Sequence, residues 1–281
     1  MTISGKALLA GVMGWPVAHS RSPRLHGFWL ERYGIDGAYV PLPVAPANLA
    51  AALRALPLLG FRGVNLTVPH KEVALALCDE VDPLAHRIGA VNTVVVRDDA
   101  KLRGSNTDAF GFLENLREAS GWRAADGPAV VIGAGGAARA ICVALLEAGV
   151  PELRIANRTA ERAQSLAAEL GAVARAVPWA ERGACQAGAA LLVNATSLGM
   201  AGQPPLDLPL DTLPSEAVVN DIVYAPLETA LLAAARARGN PVVDGLGMLL
   251  HQARPAFEAW FGVMPAVDEE LRRFVLADLG G

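Results

Sequence analysis

The chain has 281 residues, 53% hydrophobic and only 19% charged, and its 24 basic against 28 acidic side chains leave a net charge of −4. That balance excludes disorder, and the length suits about two domains. No cluster of Lys and Arg marks a nucleic-acid face, so no nucleic-acid partner is expected. Cys78, Cys142 and Cys185 stand far apart, and the five histidines show no HExxH or HxH grouping. Neither a disulfide framework nor a metal site is expected from them.

Short apolar runs alternate with helix-length amphipathic segments. Ala7–Val12, Ala38–Leu42 and Gly63–Leu66 are predicted strands, separated by helices over Pro23–Tyr33 and Pro46–Leu56. Ser22-Pro23 is a helix start, where Ser can accept from the first free amides and Pro loses nothing. Pro69 is assigned the same part for a helix over His70–Cys78. Asn92–Val96 and Lys101–Gly104 are a predicted hairpin around Asp98-Asp99. After a break over 122–127, a second series begins. It comprises strands Ala129–Ile132, Leu153–Ala156, Ala172–Val177, Ala190–Asn194, Ala217–Ile222 and Pro241–Val243. Helices are expected over Ala109–Ala119, Gly135–Ala148, Thr159–Leu170 and Leu227–Arg238. Strict alternation with buried strands implies α/β architecture and a parallel, doubly wound sheet. Two final helices, Leu246–Phe261 and Asp268–Leu279, have no strand to follow and are expected to pack back on the first domain.

The uncharged stretch Ala7–Ala18 behind Lys6 imitates a secretory signal. Gly14, Trp15 and Pro16 interrupt it, and no later run reaches the ~18 apolar residues of a spanning helix. It is read instead as a buried first strand, and the protein as cytoplasmic, with no membrane partner.

Val130-Val131-Ile132 runs into Gly133-Ala134-Gly135-Gly136-Ala137-Ala138, a GxGxxA turn with a strand before it and an apolar helix after it. Gly133 permits the tight turn, Gly135 lets a pyrophosphate approach the backbone, and small Ala138 lets the helix pack on the strand. The next strand would end in Asp or Glu for a ribose 2′-hydroxyl. Here it ends in Asn157-Arg158-Thr159, with Arg162 a turn later. Two guanidiniums and a hydroxyl suit a 2′-phosphate, so NADP is the expected cofactor. The plainer alternative has Thr159 only capping its helix between solvated arginines.

In the first half, polar residues gather at three predicted strand ends: Asn65-Leu66-Thr67-Val68-Pro69-His70-Lys71, Gly89-Ala90-Val91-Asn92-Thr93 and Asn106-Thr107-Asp108. Ligands bind at such edges of open α/β sheets. Taken singly, Lys71 can be a solvated helix-start lysine, Asp108 an N-cap and Asn92 a turn residue.

Together these segments resemble the shikimate dehydrogenase family, over nearly the whole chain. Gly14-Trp15-Pro16-Val17-Ala18-His19-Ser20-Arg21-Ser22-Pro23 is similar to its GxPxxHSxSP segment. Residues 65–71 are similar to NxTxPxK, 89–93 to GAVNT and 106–108 to NTD. Residues 133–139 resemble GAGGAAR, 157–159 NRT and 194–200 NATxxGM, while 221–224 resemble DxxY and 244–252 DGxxMLxxQ. Trp15 and Gly27 depart from the smaller or amide side chains that relatives more often carry.

The resemblance implies an NADP-dependent shikimate dehydrogenase activity, the reversible reduction of 3-dehydroshikimate to shikimate in aromatic amino-acid biosynthesis. It implies that Ser20 and Ser22, with Tyr224, hold the substrate carboxylate, that Thr67, Asn92 and Gln252 reach ring hydroxyls, and that Lys71 and Asp108 form the catalytic pair. Gly133, Ala134, Gly135, Gly136, Ala137, Asn157, Arg158, Thr159, Arg162, Thr196, Gly245 and Met248 form the expected cofactor-binding set. Residues 1–108 plus 246–281 become the substrate domain and 109–245 a Rossmann-type NADP domain, in a monomer or homodimer. The alternatives are a quinate or quinate/shikimate dehydrogenase using NAD, and a non-catalytic NADP-binding regulator of the same fold.

Overall fold

The computed structural model describes residues 2–277. The chain divides into two compact units: one contains the residues up to Thr107 and those from Gln252 onward, the other Asp108–His251. Both are α/β.

In the first unit β1 (Leu8–Gly14), α1 (Ser22–Arg32), β2 (Gly37–Pro43), α2 (Leu49–Ala55) and β3 (Phe61–Leu66) form the parallel start of a sheet. They are followed by β4 (Glu80–Val81), α3 (Pro83–Ile88), β5 (Thr93–Val96) and β6 (Leu102–Ser105). The order is β2-β1-β3-β5-β6-β4. β1 runs parallel to β2 and β3, but β5 is antiparallel to both β3 and β6. The predicted hairpin is present, with Val95 opposite Arg103, so this sheet is mixed.

The second unit contains α4 (Asp108–Ser120), β7 (Ala129–Ile132), α5 (Gly136–Glu147), β8 (Leu153–Ala156), α6 (Ala160–Leu170) and β9 (Ala174–Val177). It continues with β10 (Leu191–Asn194), β11 (Val218–Asp221), α7 (Ala230–Ala237) and β12 (Val242–Val243). The order β12-β11-β10-β7-β8-β9 is parallel throughout. This is the doubly wound arrangement with its switch point between β7 and β10. Every residue of β7 and β10 is buried, which is why these strands read as unbroken apolar runs.

Helix α8 (Leu246–Phe261) is followed by α9 (Glu269–Leu276); the last two residues of the predicted Asp268–Leu279 helix lie outside the described residues. These helices do pack back on the first unit. Trp260 Nε1 donates to the Val94 carbonyl at 3.1 Å, and Trp29 Nε1 to that of Ala266 at 3.1 Å. The indole enters beside Gly63, where a Cβ would stand 2.2 Å from Trp260 Nε1 and 2.0 Å from the Val94 oxygen. Arg32 pairs with Asp268 and Glu270 across α1 and α9.

Four local readings need correction. The helix predicted over His70–Cys78 is only a 3-10 turn at Val73–Ala76. Val68–Pro69 is a cis bond, the His70 amide closes on the Thr67 carbonyl at 2.9 Å, and the Lys71 carbonyl accepts from Val91 at 2.8 Å. The backbone there bonds across to a neighbouring segment instead of continuing along a helix. Ser22 does not cap α1: the N-cap is Arg21, without a side-chain bond. Thr159 occupies the N-cap of α6, also without a side-chain bond. Strand β4 and helix α3 were not anticipated.

Candidate active site

At the end of β7 the chain turns at Gly133, whose φ of +121° and 3.0 Å spacing between a hypothetical Cβ and the Ala195 carbonyl require glycine. Gly135 is the N-cap of α5 and offers no side chain to its free amides. A Cβ at Gly135 or Gly136 would meet no atom within 4 Å. Open space above bare backbone at a helix N-terminus, at the switch point, suits a phosphate. Beyond β8, Asn157 Nδ2 donates to the Thr159 carbonyl at 2.8 Å, closing the turn. Arg158 and Arg162 are both exposed, and among the described residues neither has a carboxylate partner. Arg139, by contrast, is paired with Glu169. Two uncommitted guanidiniums beside the open loop fit a dinucleotide carrying an additional phosphate.

The loop after β10 is tightly bonded. Thr196 Oγ donates to Asn194 Oδ1 at 2.7 Å and accepts from the Leu198 amide at 3.0 Å. Its hydroxyl is therefore occupied within the loop. Asn194 Nδ2 donates to Asp221 Oδ1 at 2.9 Å, and Thr229 Oγ to Asp221 Oδ2 at 2.7 Å. Burial pushes the Asp221 carboxyl above its usual range, against the pull of those bonds and of the Val223 amide. Asp221 thus ties the β10 loop to the turn that carries half-buried Tyr224. Gly245 is buried, and a Cβ there would lie 2.2 Å from the Ile222 carbonyl, so its glycine answers to the chain's own approach. Met248 is half-buried on α8.

In the first unit the loops after β1 and β3 lie side by side, because these strands pair in register with Met13 opposite Leu66. A Cβ on Gly14 would meet Thr67 Cγ2 at 2.5 Å, and the Trp15 amide donates to the Val68 carbonyl at 3.1 Å. This brings Ser20 and Ser22, on the first loop and the start of α1, to the same sheet edge as Thr67 and Lys71. The Ser22 amide donates to Ser20 Oγ at 3.4 Å. Lys71 is half-buried and pinned on both sides. His70 Nε2 bonds the Val44 carbonyl at 2.8 Å, and the Lys71 carbonyl receives Val91.

Asn92, just before β5, is buried. Its Oδ1 accepts from the Thr107 amide at 2.9 Å and from Thr93 Oγ at 3.0 Å, while its Nδ2 donates to Thr107 Oγ at 3.1 Å. Asn106 Nδ2 is spent on the Ala90 carbonyl at 3.0 Å. Asp108, next in the chain, opens α4 in the second unit with a half-buried side chain. Gln252, half-buried on α8, belongs to the first unit.

Two buried side chains that sequence reasoning passed over stand behind this edge. Tyr39 on β2 donates to Asn65 Oδ1 at 2.7 Å, and the ring of His26 stacks on it at 3.9 Å with the planes 1° apart. His26 is fully buried with neither ring nitrogen bonded, and burial pushes its pKa down to about 3. Among the described residues, no three His, Cys, Asp or Glu side chains group closely enough to hold a metal ion. No helix among them is long and apolar enough to cross a membrane.

Comparison with known proteins covers nearly the whole chain. The model of the shikimate dehydrogenase substrate binding domain matches residues 12–94, that of shikimate / quinate 5-dehydrogenase residues 117–200, and that of the shikimate 5′-dehydrogenase C-terminal domain residues 245–269. A shikimate dehydrogenase (NADP(+)) of Paramagnetospirillum magneticum is 65% identical, over 98% of this chain and 100% of its own. Among solved structures, shikimate 5-dehydrogenase of Thermus thermophilus in complex with NADP(H) and shikimate is 44% identical. It superposes with a TM-score of 0.85 over 97% of this chain and 99% of its own. Quinate dehydrogenase of Corynebacterium glutamicum in complex with NAD is 33% identical, with a TM-score of 0.89 over 98% and 99%. With a glycine loop at the switch point of one unit, polar strand ends on one edge of the other, and relatives matched from end to end, this chain belongs to the shikimate dehydrogenase family.

Proposed function

We propose that this protein catalyses the reversible, NADPH-dependent reduction of 3-dehydroshikimate to shikimate, a step of aromatic amino-acid biosynthesis, in the cytoplasm and as a monomer or homodimer. The observation that carries the reading is the 65% identity, across both units, to a relative named for NADP-dependent shikimate dehydrogenation.

The first unit is the substrate domain and the second the cofactor domain. Gly133, Ala134, Gly135, Gly136 and Ala137 hold the pyrophosphate, while Asn157, Arg158, Thr159 and Arg162 receive the 2′-phosphate. Thr196, Gly245 and Met248 complete the cofactor set. When bound, NADPH supplies the hydride.

Ser20 and Ser22, with Tyr224, hold the substrate carboxylate, and Thr67, Asn92 and Gln252 hold ring oxygens. Hydroxyl and amide groups do this without confining a further charge. As the ketone carbon is reduced, negative charge develops on its oxygen, and the Lys71 ammonium protonates it. In the reverse direction neutral Lys71 takes the hydroxyl proton. Asp108 orients the lysine and the reacting hydroxyl. General acid–base catalysis of this kind contributes about 10²–10⁴-fold.

The likeness to a quinate dehydrogenase in complex with NAD favours a second reading, quinate oxidation with NAD. Arg158 and Arg162, in place of a carboxylate beyond β8, weigh against it. Initial rates for shikimate and quinate, each with NADP⁺ and NAD⁺, decide. Fastest reduction of NADP⁺ by shikimate is expected, and a preference for quinate with NAD⁺ would refute the proposal.

A further inference from the structure

Strand β11 ends in a carboxylate that the reaction proposed above does not use. Asp221 is 1% exposed, and no cation among the described residues pairs with it. It is met by donors instead. Asn194 is fixed in orientation, because its Nδ2 also donates to the Leu198 carbonyl at 3.1 Å and its Oδ1 accepts from the Thr196 amide at 3.1 Å. That Nδ2 and the Val223 amide both donate to Asp221 Oδ1, at 2.9 and 3.0 Å. Thr229 Oγ accepts from the Leu232 amide at 3.3 Å and has its own proton left for Asp221 Oδ2, at 2.7 Å. Three such donors suit the ionised form and offset the burial that opposes it.

The charge stands where the second unit gathers its cofactor residues. Asp221 lies opposite Asn194 at the ends of paired parallel strands, and β10 adjoins β7 at the switch point. Thr196 follows two residues after Asn194, and Gly245 packs on the carbonyl of Ile222. Ligands of open α/β sheets sit at these strand ends. A buried charge is weakly screened. Across about 12 Å at an effective dielectric of ~20, two unit charges still alter a binding constant about tenfold.

We propose that Asp221 is a fixed anion of the cofactor site, favouring the oxidised over the reduced form of NADP. The nicotinamide ring is a cation when oxidised and neutral when reduced, so a negative charge beside it stabilises the first form alone. The inference rests on the reading of the second unit as the NADP domain. An amide side chain could accept from Val223 and Asn194 without the cost of burying a charge; what the carboxylate adds is the charge.

The test is direct binding to the full-length protein without substrate, NADP⁺ by titration calorimetry and NADPH by its fluorescence. For Asp221→Asn, Kd for NADP⁺ should rise about 10-fold relative to Kd for NADPH. A loosened β10 loop would weaken both forms alike, so the ratio separates charge from scaffolding. Asp221→Ser, neutral and also able to accept from the Val223 amide, decides if the first variant does not fold. An unchanged or reversed ratio would overturn the role of the anion while leaving the activity standing. A wild-type protein that binds neither form would overturn the cofactor reading and this inference with it.

Discussion

His26 makes the stability of the first unit pH-dependent in a window that few other groups share. Its ring is fully buried, neither nitrogen is bonded, and its pKa falls from 6.5 to about 3 on folding. The unfolded chain therefore binds a proton below pH 6.5 that the folded chain refuses. Stability is full above that value and is lost as pH falls toward 3. At about 1.4 kcal/mol per unit, the roughly 1.5 units between 6.5 and pH 5 cost about 2 kcal/mol. Glu152, held down to about 2 by Arg154 and Arg175, titrates below this window and in the other unit. His26→Phe keeps a ring against Tyr39 and removes both nitrogens, so its stability should stay nearly flat between pH 7.5 and 5. Any packing offset from the larger ring is independent of pH. Because two units can unfold separately, amide hydrogen exchange in β1 and β3 is the suitable assay. Equal pH slopes for wild type and variant would refute the reasoning.

Lys71→Ala should lower kcat at least ~10²-fold with substrate affinity largely retained, measured by steady-state rates and by titration calorimetry with shikimate. Arg158→Ala should raise KM for NADP⁺ by about 10-fold or more, the effect of one charge-assisted hydrogen bond, and leave KM for NAD⁺ little changed. Gly63→Ala should destabilise the first unit by on the order of 3 kcal/mol, because its Cβ meets the Val94 carbonyl and the Trp260 indole and neither can yield. Denaturation followed by amide exchange in β3 checks it.

The second unit was legible almost element by element. Its strands are four-residue, mainly apolar runs except the two-residue β12, its helices are long enough to show their period, and its glycine turn falls where a strand becomes a helix. The first unit was less so, for physical reasons. β4 has two residues and α3 six, too short for any periodicity to emerge. Pro69 carries the same signal in a turn as at the first position of a helix, and the hydrogen bond between Lys71 and Val91 that decides the matter comes from a segment 20 residues away. The candidate site residues stood out because they lie in compact motifs at strand ends. The buried bonds behind them did not. Tyr39 is 26 residues from Asn65, and Asn65 is 28 from Thr93. Only the pairing of β1 with β2 and β3, and of β3 with β5, brings them into one chain of bonds. Likewise the two internal bonds of the Thr196 hydroxyl are not legible in its motif.

The slot beside Gly63 has a consequence for how the protein is made. Trp260, which fills it, lies 166 residues after its partner Val94. The second unit is one unbroken stretch of chain that ends at His251, so all its parts leave the ribosome before this indole does. The usual N-to-C order of domain completion is therefore reversed. The second unit can close first, while the half that the ribosome began earlier waits with the seam between β3 and β5 uncovered until Trp260 has emerged.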